Sequence, residues 1–149
     1  MLAWSFVAAQ LVLVGMVVLL PRGEVWPVLP GLTAAATVGT WTGVALMVLA
    51  AVALRRGLTA TPLPNAHARL RTGGLYRFVR HPIYTGLLLF TASQALSSRS
   101  GFVVASEVAL LILINVKTRY GERRLVERFP DYVGYARRTP RFVPGWPTR

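Results

Sequence analysis

The chain has 149 residues, of which 54% are hydrophobic and 15% charged. That length holds one domain, and that apolar content predicts a membrane setting for it. There is no cysteine, which excludes disulfides, thiolate metal ligands and a cysteine nucleophile. Lys and Arg number 17 against five Asp and Glu, for a formal net charge of +12.

Four apolar runs follow one another along the chain. The first, Leu2 to Leu20, and the second, Leu32 to Leu54, are close to the ~20 residues needed to cross a ~30 Å hydrocarbon core. The first has no basic leader, and Leu20-Pro21-Arg22-Gly23 is not a small-residue cleavage site. It therefore reads as a retained transmembrane helix. Residues Pro21 to Pro30 join the pair and place Trp26 at a membrane interface. In the second run, Ala35, Ala36, Gly39 and Gly43 allow a neighbouring helix to approach closely.

The connector Arg55 to Thr72 contains Thr61-Pro62-Leu63-Pro64-Asn65, whose prolines favour an extended path. Gly73-Gly74 ends it in a turn. The third run begins near Ile83 and ends near Leu96; the fourth spans Phe102 to Val116. Both are shorter and carry polar residues. The link Ser97-Ser98-Arg99-Ser100-Gly101 is short enough to force an antiparallel hairpin. Beyond it, Tyr120 to Arg138 is expected to be an amphipathic helix with Leu125, Val126, Phe129 and Tyr132 on one face. It would lie on the inner leaflet, and Pro130 weakens its middle. The tail from Thr139 to Trp146 is Pro-rich and predicted to be extended.

The basic residues are unevenly placed. Arg55, Arg56, Arg69, Arg71, Arg77 and Arg80 lie between the second and third runs, and nine more follow the fourth, from Lys117 to Arg149. Only Arg22 and Arg99 occupy the other two loops. With four spans, both basic regions face one side, which the positive-inside rule makes cytoplasmic, with both termini there. Topology and anionic lipid headgroups account for the charge, so the expected partner is membrane lipid and not nucleic acid. The predicted fold class is thus all-α, a membrane bundle of about four transmembrane helices with an amphipathic C-terminal cytoplasmic helix.

The junction Gly74-Leu75-Tyr76-Arg77-Phe78-Val79-Arg80-His81-Pro82-Ile83-Tyr84-Thr85-Gly86 concentrates polar and aromatic residues at the mouth of an apolar helix, where they are costly unless something binds them. Pro82 suits the first helical turn, with His81 as its cap. The free N–H groups of that turn and Arg80 attract an anion. Tyr76 and Tyr84 offer hydroxyls and ring faces, and Gly86 leaves room for a ligand or a close helix. A juxtamembrane anchor accounts for the same residues equally well. Glu122, one of five acidic residues and set among bases, suits an ammonium or ribose hydroxyls; a surface ion pair with Lys117 or Arg119 is the simpler reading. Glu107 falls inside the fourth helix, where a carboxylate is a functional suspect by default; protonation, a hydrogen bond to Gln94 or Gln10, or a pair with Arg99 would each give it the structural role that is the favoured reading. His67 reads as a solvated loop residue. No His, Asp or Glu grouping has metal-ligand spacing.

The segment Leu70 to Tyr76, followed by Arg80-His81-Pro82-Ile83-Tyr84-Thr85-Gly86, resembles the isoprenylcysteine carboxyl methyltransferase family and its phospholipid methyltransferase relatives. Glu122-Arg123-Arg124-Leu125, Phe129-Pro130, Tyr132, Tyr135, Pro140-Arg141 and Pro144 look like that family's closing signature. The resemblance covers about residues 62 to 145. It implies one membrane methyltransferase domain over 1–149, with a helix pair in 1–56 and the cofactor region in 57–149. It implies S-adenosylmethionine as cofactor and a lipid-soluble methyl acceptor. By the same resemblance, Leu70, Arg71, Tyr76, Arg80, His81, Pro82, Ile83, Tyr84, Gly86 and Glu122 form the cofactor site, and Lys117 stands with Glu122 as a catalytic residue, Lys117 near the acceptor. The family often has two adjacent glutamates where this chain has Gly121-Glu122. Two other readings stand beside it: a membrane reductase of the sterol type using a reduced nicotinamide dinucleotide, and a non-catalytic lipid-binding membrane protein.

Overall fold

The computed structural model describes residues 2–59, 61 and 69–145. The expected extended path of Pro62 to Asn65, the loop setting of His67 and the end of the tail at Trp146 lie outside the described residues.

Among the described residues there are five α-helices and no strand: α1 (Leu2–Leu19), α2 (Pro30–Leu54), α3 (Pro82–Ser98), α4 (Gly101–Arg128) and α5 (Tyr132–Arg138). A short 3-10 helix, Arg55–Gly57, follows α2, and another, Gly74–Arg77, precedes α3. Two helices, α2 with 25 residues and α4 with 28, are long and apolar enough to cross a membrane. At ~1.5 Å per residue, helices of 18 residues (α1) and 17 residues (α3) reach about 27 and 25 Å.

The helices pair as their small residues dictate. α2 packs against α3, and α1 against α4, with α3 and α4 in contact between them. A Cβ on Gly43 would stand 2.6 Å from the Gly86 carbonyl oxygen, and one on Gly86 2.6 Å from the Gly43 carbonyl oxygen. The two glycines therefore bring α2 and α3 backbone to backbone. Gly39 does the same against the Ser93 hydroxyl, 2.2 Å from a would-be Cβ. The small-residue face of α2 is thus spent inside the chain, on α3. Gly86, expected to make room for a ligand or a helix, makes room for a helix.

At the end of the bundle away from the junction, the loop after α1 folds over the α3–α4 link. Gly23 N–H donates to the Ser98 carbonyl at 2.7 Å, Val25 N–H to that of Arg99 at 3.0 Å, and Arg99 Nε to that of Trp26 at 2.6 Å. Beneath them Val17, Ala95 and Val103 pack with Leu20. Burying these chain ends on one another satisfies carbonyls that a helix terminus leaves open.

One boundary differs from the sequence reading. The fourth apolar run ends at Val116 but the helix does not, and no separate helix begins at Tyr120. A single helix runs to Arg128, and only Phe129-Pro130-Asp131 breaks it before α5. Lys117, the first basic residue after that run, is 1% exposed: its Nζ donates to Gln10 Oε1 on α1 at 2.6 Å. A basic residue with an interior acceptor need not end a helix, whereas Pro130, two residues past Arg128, lacks the N–H that would continue it.

Candidate active site

Glu122 stands where three stretches of chain meet. Its Oε1 accepts from His81 Nε2 at 2.9 Å and lies 3.3 Å from Arg80 Nη1. Its Oε2 accepts from Arg141 Nη2 at 2.6 Å and from Arg141 Nε at 3.2 Å. Arg141 also reaches Asn115 Oδ1 at 3.4 Å. The carboxylate is 11% exposed, and the side chains of Arg80, His81 and Arg141 are 9%, 16% and 26% exposed. The simpler sequence reading, an ion pair of Glu122 with Lys117 or Arg119, is therefore replaced by an interior cluster.

Local structure explains each arm. Pro82 is buried at the first turn of α3, where its missing N–H costs nothing. His81 occupies the cap position with φ −127° and ψ 62°, but its side chain makes no cap hydrogen bond. The imidazole turns instead to Glu122. An ionised carboxylate only accepts, so His81 carries its proton on Nε2. Burial pushes the imidazole below its ordinary pKa, with the Glu122 hydrogen bond opposing; His81 is neutral.

Glu122 lies six residues past Val116, where the apolar stretch of α4 ends, so it stands beyond the hydrocarbon layer that stretch would fill. Burial there opposes its ionisation, but the donors of His81, Arg141 and Arg80 outweigh it and hold the group ionised.

The third arm is the segment after α5. Arg80 N–H donates to the Pro140 carbonyl at 2.8 Å, His81 N–H to that of Arg141 at 3.2 Å, and Thr85 Oγ1 to that of Phe142 at 2.9 Å. This segment thus runs alongside the start of α3 and delivers Arg141. α5 is anchored above it: the Tyr135 hydroxyl donates to the Tyr76 carbonyl, and the Tyr76 hydroxyl donates to the Ala50 carbonyl of α2 at 3.3 Å. Burial, with Tyr135 next, raises the Tyr76 hydroxyl pKa well above its ordinary value, so Tyr76 stays a neutral donor.

Aromatic rings border the cluster. His81 lies 6.0 Å from Tyr84 and 6.1 Å from Phe142, centroid to centroid. Lys117 Nζ lies 5.4 Å from the Tyr84 ring centre, within cation–π range. Tyr84 therefore connects the Glu122 cluster to Lys117. Ile83 is half-buried beside it.

Arg80, His81, Pro82, Tyr84, Glu122 and Lys117 are thus gathered at one end of the bundle, and Tyr76 holds the adjoining turn. Leu70 is half-buried and Arg71 exposed; both stand outside the cluster, Arg71 acting on Tyr76 only through its charge. Gly86 faces α2. Glu107 takes none of its expected partners. Gln10 goes to Lys117, Gln94 to Thr40 and Arg99 to the Trp26 carbonyl, while Glu107 Oε2 is buried without a hydrogen bond among the described residues. Arg141 and Asn115 are the site residues that sequence reasoning missed. Arg141 sat in the closing signature with no role, and nothing local marks Asn115.

No family model matches the chain. The cobalt-zinc-cadmium resistance protein CzcN of Cupriavidus metallidurans is 33% identical to it over 76 residues. The match covers 50% of this chain, and the chain spans 35% of the length of that relative.

Proposed function

We propose that this chain is a membrane methyltransferase that moves a methyl group from S-adenosylmethionine to a lipid-soluble acceptor at the cytoplasmic face. What supports the reading is the meeting of the two signatures that carry the resemblance. His81 and Glu122 are 41 positions apart, and Arg141 is 19 beyond Glu122, yet the three share one carboxylate. In this reading α1 to α4 all cross the bilayer, both termini are cytoplasmic, and α5 with its flanking segments covers the cytoplasmic end.

The residues present fit the cofactor. A cationic nucleoside needs an acceptor, ring faces and an anion-binding donor. Glu122, the rings of Tyr84, His81 and Phe142, and the Nε–H of Arg80, which has no hydrogen bond among the described residues, supply these. When bound, S-adenosylmethionine supplies an activated methyl on a sulfonium. The chain's part is to hold and align: placing donor and acceptor in line contributes up to ~7–11 kcal/mol. Lys117, with its Nζ 5.4 Å from the Tyr84 ring centre, would meet the polar end of an acceptor arriving from the bilayer. The segment 139–142 excludes water from the cluster.

The test is calorimetric titration of the detergent-purified protein with S-adenosylhomocysteine, with a reduced nicotinamide dinucleotide as a parallel ligand. Saturable binding of the first, weakened in Tyr84→Ala, is expected. Binding of the dinucleotide alone would make the protein a reductase. Binding of neither by folded protein would leave a non-catalytic membrane role. The name of CzcN states metal resistance of that protein. Among the described residues here, no group of three His, Cys, Asp or Glu is placed to hold a metal ion.

A further inference from the structure

Both oxygens of Glu122 are occupied by the chain's own donors. Oε1 accepts from His81 Nε2 at 2.9 Å and faces Arg80 Nη1 at 3.3 Å, and Oε2 accepts from Arg141 Nη2 at 2.6 Å. Arg141 Nε lies between the two oxygens, 3.3 Å from Oε1 and 3.2 Å from Oε2, and the Tyr132 hydroxyl borders the same carboxylate. An ionised carboxylate has about four acceptor positions, and these donors fill them. Glu122 therefore has nothing to offer an incoming ammonium or hydroxyl until one of its donors leaves.

The donors are not held alike. Arg80 and His81 directly precede the buried Pro82 that starts α3, and their side chains are 9% and 16% exposed. Withdrawing either would disturb the first turn of that helix. Arg141 is 26% exposed and comes from the irregular stretch after α5. That stretch is joined to α3 through its main chain, by the Pro140, Arg141 and Phe142 carbonyls, and none of those bonds involves the guanidinium. The Arg141 side chain can therefore turn outward to water, where its charge is well solvated, while the backbone of 139–142 stays in place.

We infer that Arg141 is a latch on this carboxylate: its guanidinium holds Glu122 until a ligand carrying an ammonium or hydroxyl donors displaces it. The inference rests on the methyltransferase reading above for the identity of that ligand, an adenosyl amino acid. An ammonium brought beside Arg141 would also meet a like charge, which adds to the drive for the guanidinium to leave. The same ion pair could instead be a plain staple, and the two roles differ in sign. A staple stays closed when ligand binds. A latch opens, and the free energy of opening is subtracted from the affinity. Removing a latch tightens binding; removing a staple does not.

The experiment titrates S-adenosylhomocysteine into wild type, Arg141→Met and Arg141→Lys in detergent, with helicity and melting temperature measured on each protein. A hydrogen bond between charged groups sets the scale, so Arg141→Met should bind about 10-fold tighter or more. Arg141→Lys keeps the charge but replaces the forked guanidinium by a single ammonium, and its affinity should fall between the two. A second measurement uses wild type: the nuclear magnetic resonance signal of the Arg141 Nε–H, identified by its absence from Arg141→Lys. Solvent exchange of that N–H should quicken about 10-fold or more when S-adenosylhomocysteine saturates the protein. Equal or weaker affinity in a folded Arg141→Met protein, or an Nε–H that stays protected in saturated wild type, overturns the inference and leaves the methyltransferase reading standing. If Arg141→Met does not fold, the exchange measurement decides alone. Failure of folded wild type to bind S-adenosylhomocysteine overturns both.

Discussion

Removing the Glu122 carboxylate should destabilise the end of the bundle at the Glu122 cluster more than any other single truncation there. In Glu122→Ala, Arg80 keeps its charge at 9% exposure and loses its anion, and His81 loses its acceptor. Breaking a buried ion pair from one side costs about 3–5 kcal/mol. Arg141 is 26% exposed, so water recovers part of its share, and the lower end of that range, about 3 kcal/mol, is the expected loss. For a chain of this size each kcal/mol moves the melting temperature by about 2–4 °C, which gives a fall of about 6–12 °C. The assay is thermal unfolding in detergent followed by circular dichroism. Arg141→Met and the double variant complete a cycle, and the coupling between the two positions should be about 1 kcal/mol or more. A fall below about 2 °C, or strictly additive single effects, would show that the cluster is not the interior network described.

The remaining predictions use the same readout or a simple variant of it. Gly86→Ala puts a Cβ 2.6 Å from the Gly43 carbonyl oxygen and should destabilise by about 1–3 kcal/mol; Gly15→Ala, with open space around its new Cβ, should instead stabilise slightly. The neutral, half-buried His81 makes stability fall in acid: the unfolded chain takes up its proton near 6.5, the folded chain only below that. The melting temperature should therefore drop between pH 7.5 and 5.5, by at most about 1.4 kcal/mol per pH unit from this group, and His81→Asn should remove that part of the drop. Tyr135→Phe loses the bond to the Tyr76 carbonyl at a cost of about 1 kcal/mol, and limited proteolysis should cut residues 139–145 faster in that variant.

What the sequence revealed and what it concealed divide along physical lines. Small residues announce close helix contact wherever they recur, so the α2 face at Gly39 and Gly43 was readable, and Gly86 was marked as room for a helix or a ligand, though not as that face's partner. Pro82 marked the start of α3 because proline's missing N–H has one comfortable place in a helix. The end of α4 was misread because Lys117 was treated as a surface residue; its acceptor, Gln10, lies 107 positions away, and no local pattern carries that distance. Glu122 stood out through its rarity, yet its partners were sought among neighbours on its own helix. They came from the turn before α3 and from the segment after α5, a convergence that only the folded backbone defines. Arg141 was invisible for the same reason, being one arginine among many.

The route by which the chain closes its own site sets an order of events during synthesis. All four helices α1 to α4 have been made before residue 129 is added. The carboxylate of Glu122 then waits, with His81 and Arg80 already present, until Pro140, Arg141 and Phe142 leave the ribosome and run back along the start of α3. At about 5–20 residues per second, that interval is on the order of a second. A nascent chain cut short before Arg141 would therefore hold its four long helices but leave Glu122 without its closing partner, so that translation past Arg141 is itself a condition for completing the cluster.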